Sequence, residues 1–183
     1  SPAVIDIGGG TPVVYWMNVP SPGQISLLVI EKLNSMVGRL GCPIKLIVES
    51  GRYLTAESGT LVSRVVNTKM YADRKFIFVD IGFHLLLDSA LLRQDYPVEI
   101  TPATDGENNY KSIVAGLLCD TYDIFPVSQG SDLTGADEGK LVIFRNVGAY
   151  STVFNMPFHC QTKPPIILIR ENGEAVLIRT SRS

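Results

Sequence analysis

The 183-residue chain holds only two histidines, His84 and His159, and only three cysteines, Cys42, Cys119 and Cys160. Imidazoles this few and this far apart exclude a histidine-rich zinc site. Three scattered thiols give neither metal-ligand spacing nor a disulfide framework. That cysteine usage fits a reducing compartment, so a cytoplasmic location is expected. A dominant charge is missing too: 16 Lys and Arg stand against 18 Asp and Glu, for a formal net charge of -2. Without a basic cluster, nucleic acid is not the expected partner. No apolar run nears the ~18–20 residues of a membrane-spanning helix, and the N-terminus does not read as a signal peptide. With 45% hydrophobic and 19% charged residues, the chain has the material for one large or two small globular domains.

What is present starts with Val4-Ile5-Asp6-Ile7, an apolar strand that runs into Gly8-Gly9-Gly10. Glycines let backbone N–H groups come close to an anion, and phosphates commonly sit at strand-to-helix junctions. A plain turn is the competing reading of the same three residues. Ser21-Pro22-Gly23-Gln24 then has the form of a capping box with proline at the first helical position. Ile25, Leu28, Val29, Leu33, Met36, Val37 and Leu40 follow at helical spacing, and Gly41 and Pro43 end the helix. Residues 44–48 form a short apolar run suited to a buried parallel strand. Residues 4–49 therefore read as one β-α-β unit, of the kind that builds an α/β barrel or a doubly wound sheet.

Beyond residue 51 the pattern shifts to short β-branched runs over residues 61–66, 76–79, 113–118, 141–144, 166–169 and 175–178. Asn172-Gly173 marks a hairpin between the last two. Residues 84–92 are the one good helix candidate in this half, while residues 101–109 and 128–139 read as loops. The expected organisation is α/β plus all-β: residues 1–52 as the end of a barrel, and residues 53–183 as an antiparallel β domain.

Three further clusters have the residue types of a site. The strand at 44–48 leads into Glu49-Ser50-Gly51-Arg52, and ligands of parallel α/β folds bind at the carboxyl ends of strands. Arg52 suits a phosphate and Glu49 a cationic ring nitrogen or amine; an ordinary surface ion pair explains them equally well. Cys119-Asp120-Thr121-Tyr122-Asp123 sets a thiol and two acids just after an apolar run, although a lone cysteine is more often inert core than catalytic. Gly148-Ala149-Tyr150 ends a strand with a tight turn and a phenol.

Taken together and in this order, these clusters resemble the carboxy-terminal part of the fold-type III pyridoxal-phosphate decarboxylases, the family of ornithine, arginine and diaminopimelate decarboxylases. That family runs from a triple-glycine loop through Glu-Pro-Gly-Arg and Cys-Asp-Ser-x-Asp to Gly-Ala-Tyr. Phe154-Asn155 and Pro164-Pro165 look like its closing segment. The resemblance implies the last β-α-β unit of a (β/α)8 barrel followed by an antiparallel β domain, and pyridoxal 5'-phosphate as cofactor. It gives Glu49 the pyridine nitrogen, and gives the amides of Gly8, Gly9 and Gly10, with Gly51, Arg52 and the Tyr150 hydroxyl, the phosphate. Cys119 becomes the proton donor and Asp120 a substrate-binding residue. In the family these last two cross a homodimer interface.

The departures matter as well. The family's cofactor-anchoring lysine and ring-stacking histidine lie upstream of the region covered here, and no lysine of this chain stands in a substitute motif. The chain is thus expected to be a truncation, a proteolytic fragment or one part of a split enzyme. Diaminopimelate decarboxylases carry Arg-Pro-Ala-Leu-Tyr where Asp88-Ser89-Ala90-Leu91-Leu92 stands. Ornithine decarboxylases carry Tyr-Asp in place of Leu92-Arg93, which makes Arg93 a candidate for the distal end of the substrate; pairing with Asp88 or Asp95 is the alternative. The reading that follows is a decarboxylase of a specialised or conjugated amino acid. An antizyme-inhibitor-like regulator without activity and a fold-type III racemase are the rivals.

Overall fold

The computed structural model describes residues 4–15, 17–103, 110–128 and 131–181. Most of the loop expected at residues 101–109 lies outside the described residues, as do Gln129 and Gly130 of the second loop. Strand β1 (Val4–Asp6), helix α1 (Pro22–Leu40) and strand β2 (Lys45–Ile47) form the expected β-α-β unit, with β1 and β2 parallel in register. Helix α1 starts where its sequence says it should. Ser21 accepts from the N–H of Gln24 while the Gln24 side chain accepts from the N–H of Ser21, closing the capping box. At the other end Gly41 adopts φ 67° and its N–H reaches the carbonyl of Val37, a left-handed cap open to glycine. Ile25, Val29, Leu33 and Val37 form a half-buried stripe, whereas Leu28 and Met36, expected on the same face, are exposed.

Helix α2 (Gly51–Thr55) and a 3-10 turn at Ala56–Ser58 carry the chain out of this unit into a six-stranded sheet. Its strands are β3 (Thr60–Tyr71), β4 (Arg74–Val79), β5 (Val98–Thr101), β6 (Lys111–Ala115), β7 (Ile124–Phe125) and β8 (Leu141–Arg145), in the order β5-β8-β3-β4-β6-β7. All pairings are antiparallel except β4 with β6, so the sheet is mainly antiparallel, as expected, with one parallel pair.

The long strand β3 gives the sheet its curl. Residues 60–64 pair with β8, residues 65–71 pair with β4, and the register shifts between Val65 and Asn67. An irregularity of this kind bends a strand and adds twist. The two edges then meet through a bridge between Tyr96, just before β5, and Val127, just after β7. Val65, Ile77, Val79, Val114, Val142 and Phe144 fill the interior at 0–1% exposure. Strand alternation delivers them there, since every second side chain of a strand shares a face.

Between β4 and β5 the helix expected at 84–92 is instead a 3-10 turn at Phe83–Leu85 and a short helix α3 (Leu87–Leu91). Strands β9 (Ile166–Ile169) and β10 (Ala175–Arg179) form a separate antiparallel hairpin, with Gly173 at φ 82° in its turn.

Candidate active site

The glycine loop and the Glu49 segment are tied backbone to backbone at the ends of β1 and β2. Ile7 N–H donates to the carbonyl of Ile47 at 3.1 Å, and Glu49 N–H to that of Gly8 at 2.8 Å. A Cβ on Gly9 would stand 2.6 Å from the Glu49 carbonyl oxygen, so only glycine permits this approach. The Thr11 and Ser50 hydroxyls share a 2.5 Å hydrogen bond that closes the loop against the second strand.

Arg52 leaves the first turn of α2 and meets partners from three separate segments. Its Nη1 donates to the Tyr15 hydroxyl at 3.2 Å and approaches Asp88 Oδ2 of α3 at 3.5 Å, while the guanidinium lies 5.0 Å from the centre of the Tyr150 ring. Asp88, 2% exposed, accepts a 2.6 Å bond from the hydroxyl of the fully buried Tyr96. Burial opposes the charge of Arg52, but the bond to Tyr15 and the charges of Tyr15 and Asp88 raise its pKa above the ordinary value. Burial first, and then the bond to Asp88, push the Tyr96 phenol well above its ordinary pKa, so it remains a proton donor.

Arg52, Tyr15, Asp88 and Tyr150 line one cavity of about 820 Å³, with Tyr96 behind Asp88 and off the wall. Among the expected site residues, Gly9, Gly10, Glu49, Gly51, Arg52 and Tyr150 are on its wall, joined by Tyr15, Asp88, Leu92, Gln94 and Phe154. Gly8 is not on the wall; it supplies the carbonyl that fixes Glu49. Arg93 is not on it either. It is exposed at φ 54° and makes no ion pair with Asp88 or Asp95 among the described residues, while its neighbours Leu92 and Gln94 face the cavity. Helix α3 stops at Leu91, and Arg93 itself adopts a left-handed φ of 54°, which takes it out of the helical repeat on which its expected role depended.

Cys119 and Asp120 are outside this cavity as well. Cys119 is exposed, on a loop after β6 held by Asp123, and Asp120 accepts from the N–H of Tyr122 at 2.8 Å. Tyr15 and Tyr96 carry no motif in the sequence: Tyr15 lies in a stretch that reads as loop, and Tyr96 in a gap between predicted elements.

The cavity fits a phosphorylated aromatic cofactor. Its volume is within the roughly 300–1,000 Å³ usual for ligand pockets. A Cβ at Gly10 (φ 88°) would meet no atom within 4 Å, so this glycine leaves open backbone beside Arg52 and the Tyr150 phenol. An exposed carboxylate, Glu49, stands on the same wall.

Comparison with known proteins gives the same result. A family model described as pyridoxal-dependent decarboxylase, C-terminal sheet domain, matches residues 4–148. Diaminopimelate decarboxylase of Buchnera aphidicola subsp. Acyrthosiphon pisum is 30% identical over 186 residues, covering 96% of this chain and 45% of that protein. The Escherichia coli (strain K12) enzyme of that name is 31% identical over 150 residues, covering 76% of this chain and 35% of its own length. In fold, diaminopimelate decarboxylase from M. jannaschii in complex with L-lysine superposes with a TM-score of 0.84 at 22% identity, over 98% of this chain and 41% of that one. Lysine/ornithine decarboxylase from Vibrio vulnificus complexed with cadaverine gives 0.70 at 24%, over 85% and 40%. The chain spans less than half the length of these relatives. Order of motifs, sheet topology and family match agree: the chain belongs to the fold-type III pyridoxal-dependent decarboxylases and carries their C-terminal portion.

Proposed function

We propose that the full-length protein decarboxylates an amino acid with pyridoxal phosphate, and that this chain supplies the phosphate cradle, the ring-nitrogen partner and a proton donor. The observation that carries the reading is the convergence of Gly9, Gly10, Glu49, Arg52 and Tyr150 on one cavity from three separate segments. In this reading residues 1–52 close a barrel and residues 53–183 form the β domain. When bound, pyridoxal phosphate supplies an electron sink for the carbanion left by loss of CO2.

The protein's own groups then have separate tasks. Arg52, already oriented by Tyr15 and Asp88, keeps further N–H groups free for a phosphate, and a guanidinium fork matches that geometry. The Tyr150 hydroxyl and the amides of Gly9 and Gly10 add donors. The Glu49 carboxylate accepts a ring N–H. In this reading Cys119 holds the proton that replaces the lost carboxylate and Asp120 receives substrate, both delivered by a second copy in a homodimer; their position off this copy's cavity is consistent with that.

The similar proteins are diaminopimelate decarboxylases, and none of them supports the specialised or conjugated substrate expected from sequence. The substrate is therefore set here only as an amino acid. No helix among the described residues is long and apolar enough to cross a membrane.

The test uses the full-length protein. Pyridoxal phosphate should bind with a visible absorbance band, and CO2 should be released from at least one member of an amino acid panel. Glu49→Gln should bind the cofactor but lower kcat by about 10²-fold or more, the scale of a positioned charged group. Cofactor binding without CO2 release from any amino acid would refute the reading in favour of a regulator or racemase.

A further inference from the structure

A small apolar cluster lies behind the Cys119 loop. Phe83, Leu87, Ala90 and Leu118 are buried in it, with Met156 and Phe158 packed against them. Leu118 immediately precedes Cys119, and Phe158 immediately precedes His159. The Phe158 ring lies 5.7 Å from that of Phe83, and the His159 imidazole stacks on Phe158 at 4.2 Å with 14° between the planes. Asp123 ties the same corner together, since its carboxylate accepts the N–H groups of Phe83 and Leu118. Burial raises the Asp123 pKa, and the charge of His159 is among the influences that lower it. Cys119 and His159 are both exposed, so thiol and imidazole stand on adjoining turns of one surface. The turn that carries His159 is itself unusual. Gln161 N–H donates to the carbonyl of Phe158 at 3.0 Å, and the residues between, His159 and Cys160, adopt φ 51° and 55°. Two left-handed residues in succession mark a type I′ turn, which glycine, asparagine and aspartate normally fill. Turn preference therefore does not account for an imidazole here.

We infer that His159 is a positioning residue for the Cys119 thiol: its imidazolium offsets the charge of the thiolate left when Cys119 gives up its proton, and then returns a proton to that sulfur. The inference rests on the decarboxylase reading with Cys119 as proton donor, and adds the group that sustains it. The protons balance. The S–H bond breaks as its proton passes to the carbanion, an imidazolium N–H breaks as S–H forms again, and the neutral imidazole takes its proton back from water. Imidazole suits the task because its ordinary pKa lies near neutrality. The loop's own charged residues are Asp120 and Asp123, and a nearby carboxylate disfavours a thiolate. Of the other titratable groups on the elements packed here, Asp88 of α3 faces the cavity, His84 is buried with Lys163 acting on it, and Tyr122 and Cys160 are exposed.

The competing explanation is that His159 only packs on Phe158. Two variants of the full-length holoenzyme separate the roles: His159→Asn suits the turn but loses the ring, and His159→Phe keeps the ring but loses the charge. Each is measured for kcat, KM, cofactor affinity and melting temperature. The rate of Cys119 alkylation by iodoacetamide at neutral pH is read peptide by peptide, apart from Cys42 and Cys160. Both variants should lose about tenfold or more in kcat with KM and cofactor affinity retained, and both should alkylate more slowly at Cys119, because a thiol beside an imidazolium holds more thiolate. Imidazole added to the buffer should restore part of the rate. Unchanged alkylation of Cys119 in both variants would overturn the inference. So would a loss confined to His159→Asn, with a lower melting temperature and wild-type behaviour in His159→Phe, since that is the signature of packing. Should Cys119→Ala keep the wild-type rate, the proton-donor reading beneath the inference would fall instead, while alkylation would still report whether thiol and imidazole are coupled.

Discussion

Asp123 is a buried carboxylate whose two oxygens fasten two parts of the chain together. Oδ1 accepts the N–H of Phe83 and Oδ2 that of Leu118, each at 2.6 Å, with the residue 3% exposed. A Cβ on Gly116 would collide with this carboxylate, so the strand end before the Cys119 loop has to be glycine. Asp123→Ala strands two buried N–H groups, at about 1–3 kcal/mol each. The variant should melt lower, and its Cys119 should react faster with a thiol reagent as the loop loosens. His84 presents the opposite case. It is 1% exposed, neither ring nitrogen has a partner among the described residues, and burial first and the charge of Lys163 second lower its pKa. Below the ordinary imidazole value of 6.5 the unfolded chain binds a proton that the folded chain still refuses. Stability should therefore drop as pH falls from there through the lowered folded value, and a melting series on His84→Gln should lack that slope. Asp123, raised chiefly by burial, has the reverse sign: its contribution is present below the ordinary value of 3.8 and fades as pH rises through the raised one. Both residues are visible in the sequence as types. Their partners are not, because Phe83 lies 40 residues from Asp123 and no local pattern links them.

At the scale of elements, the site depends on how closely α2 and the end of β8 approach. Val147 N–H donates to the carbonyl of Gly59 and Gly148 N–H to that of Ala56, at 3.1 and 2.9 Å. A Cβ on Gly59 would run into the Gly148 backbone, and one on Gly148 into the Thr55 carbonyl. This contact sets Arg52, carried by α2, against Tyr150, two residues beyond Gly148. Gly148→Ala should cost about 1–3 kcal/mol of overpacking, and it should weaken cofactor affinity by separating Arg52 from the Tyr150 ring. A melting curve and a cofactor titration on the full-length protein check both. Local signals did announce some elements: the capping box of α1, the Asn172-Gly173 hairpin and the parallel pair β1–β2 are all where the sequence puts them. Strands β5 and β7 were not legible, being four and two residues long and held by partners distant in sequence. Closure through Tyr96 and Val127 has no local signature at all. The site was legible in its motifs and silent in its supports: Glu49, Arg52 and Tyr150 stand in recognisable runs, while Tyr15 and Tyr96, which orient Arg52 and Asp88, do not.

At the scale of the whole molecule, the cavity and the Cys119 loop present a division of labour. Glu49, Arg52 and Tyr150 share one wall, whereas Cys119 is exposed on a loop of the other half and contributes nothing to that wall. A thiol that donates a proton at the reacting carbon must come within hydrogen-bond reach of it. If it does not do so in its own copy, a second copy has to bring it, and the site is then built from two chains. Mixing two defective full-length proteins tests this directly. Cys119→Ala alone should lose about 10²-fold or more of its rate, the usual worth of a positioned proton donor, with cofactor affinity retained. Glu49→Gln alone should be similarly slow. A mixed dimer of the two has one site with both defects and one with neither, because the intact Glu49 of one copy faces the intact Cys119 of the other. Activity well above that of either parent should therefore appear when the variants are co-expressed and the mixed dimer is purified on two different tags. Were Cys119 to serve the cavity of its own chain, every site in the mixed dimer would carry one defect and no activity would return.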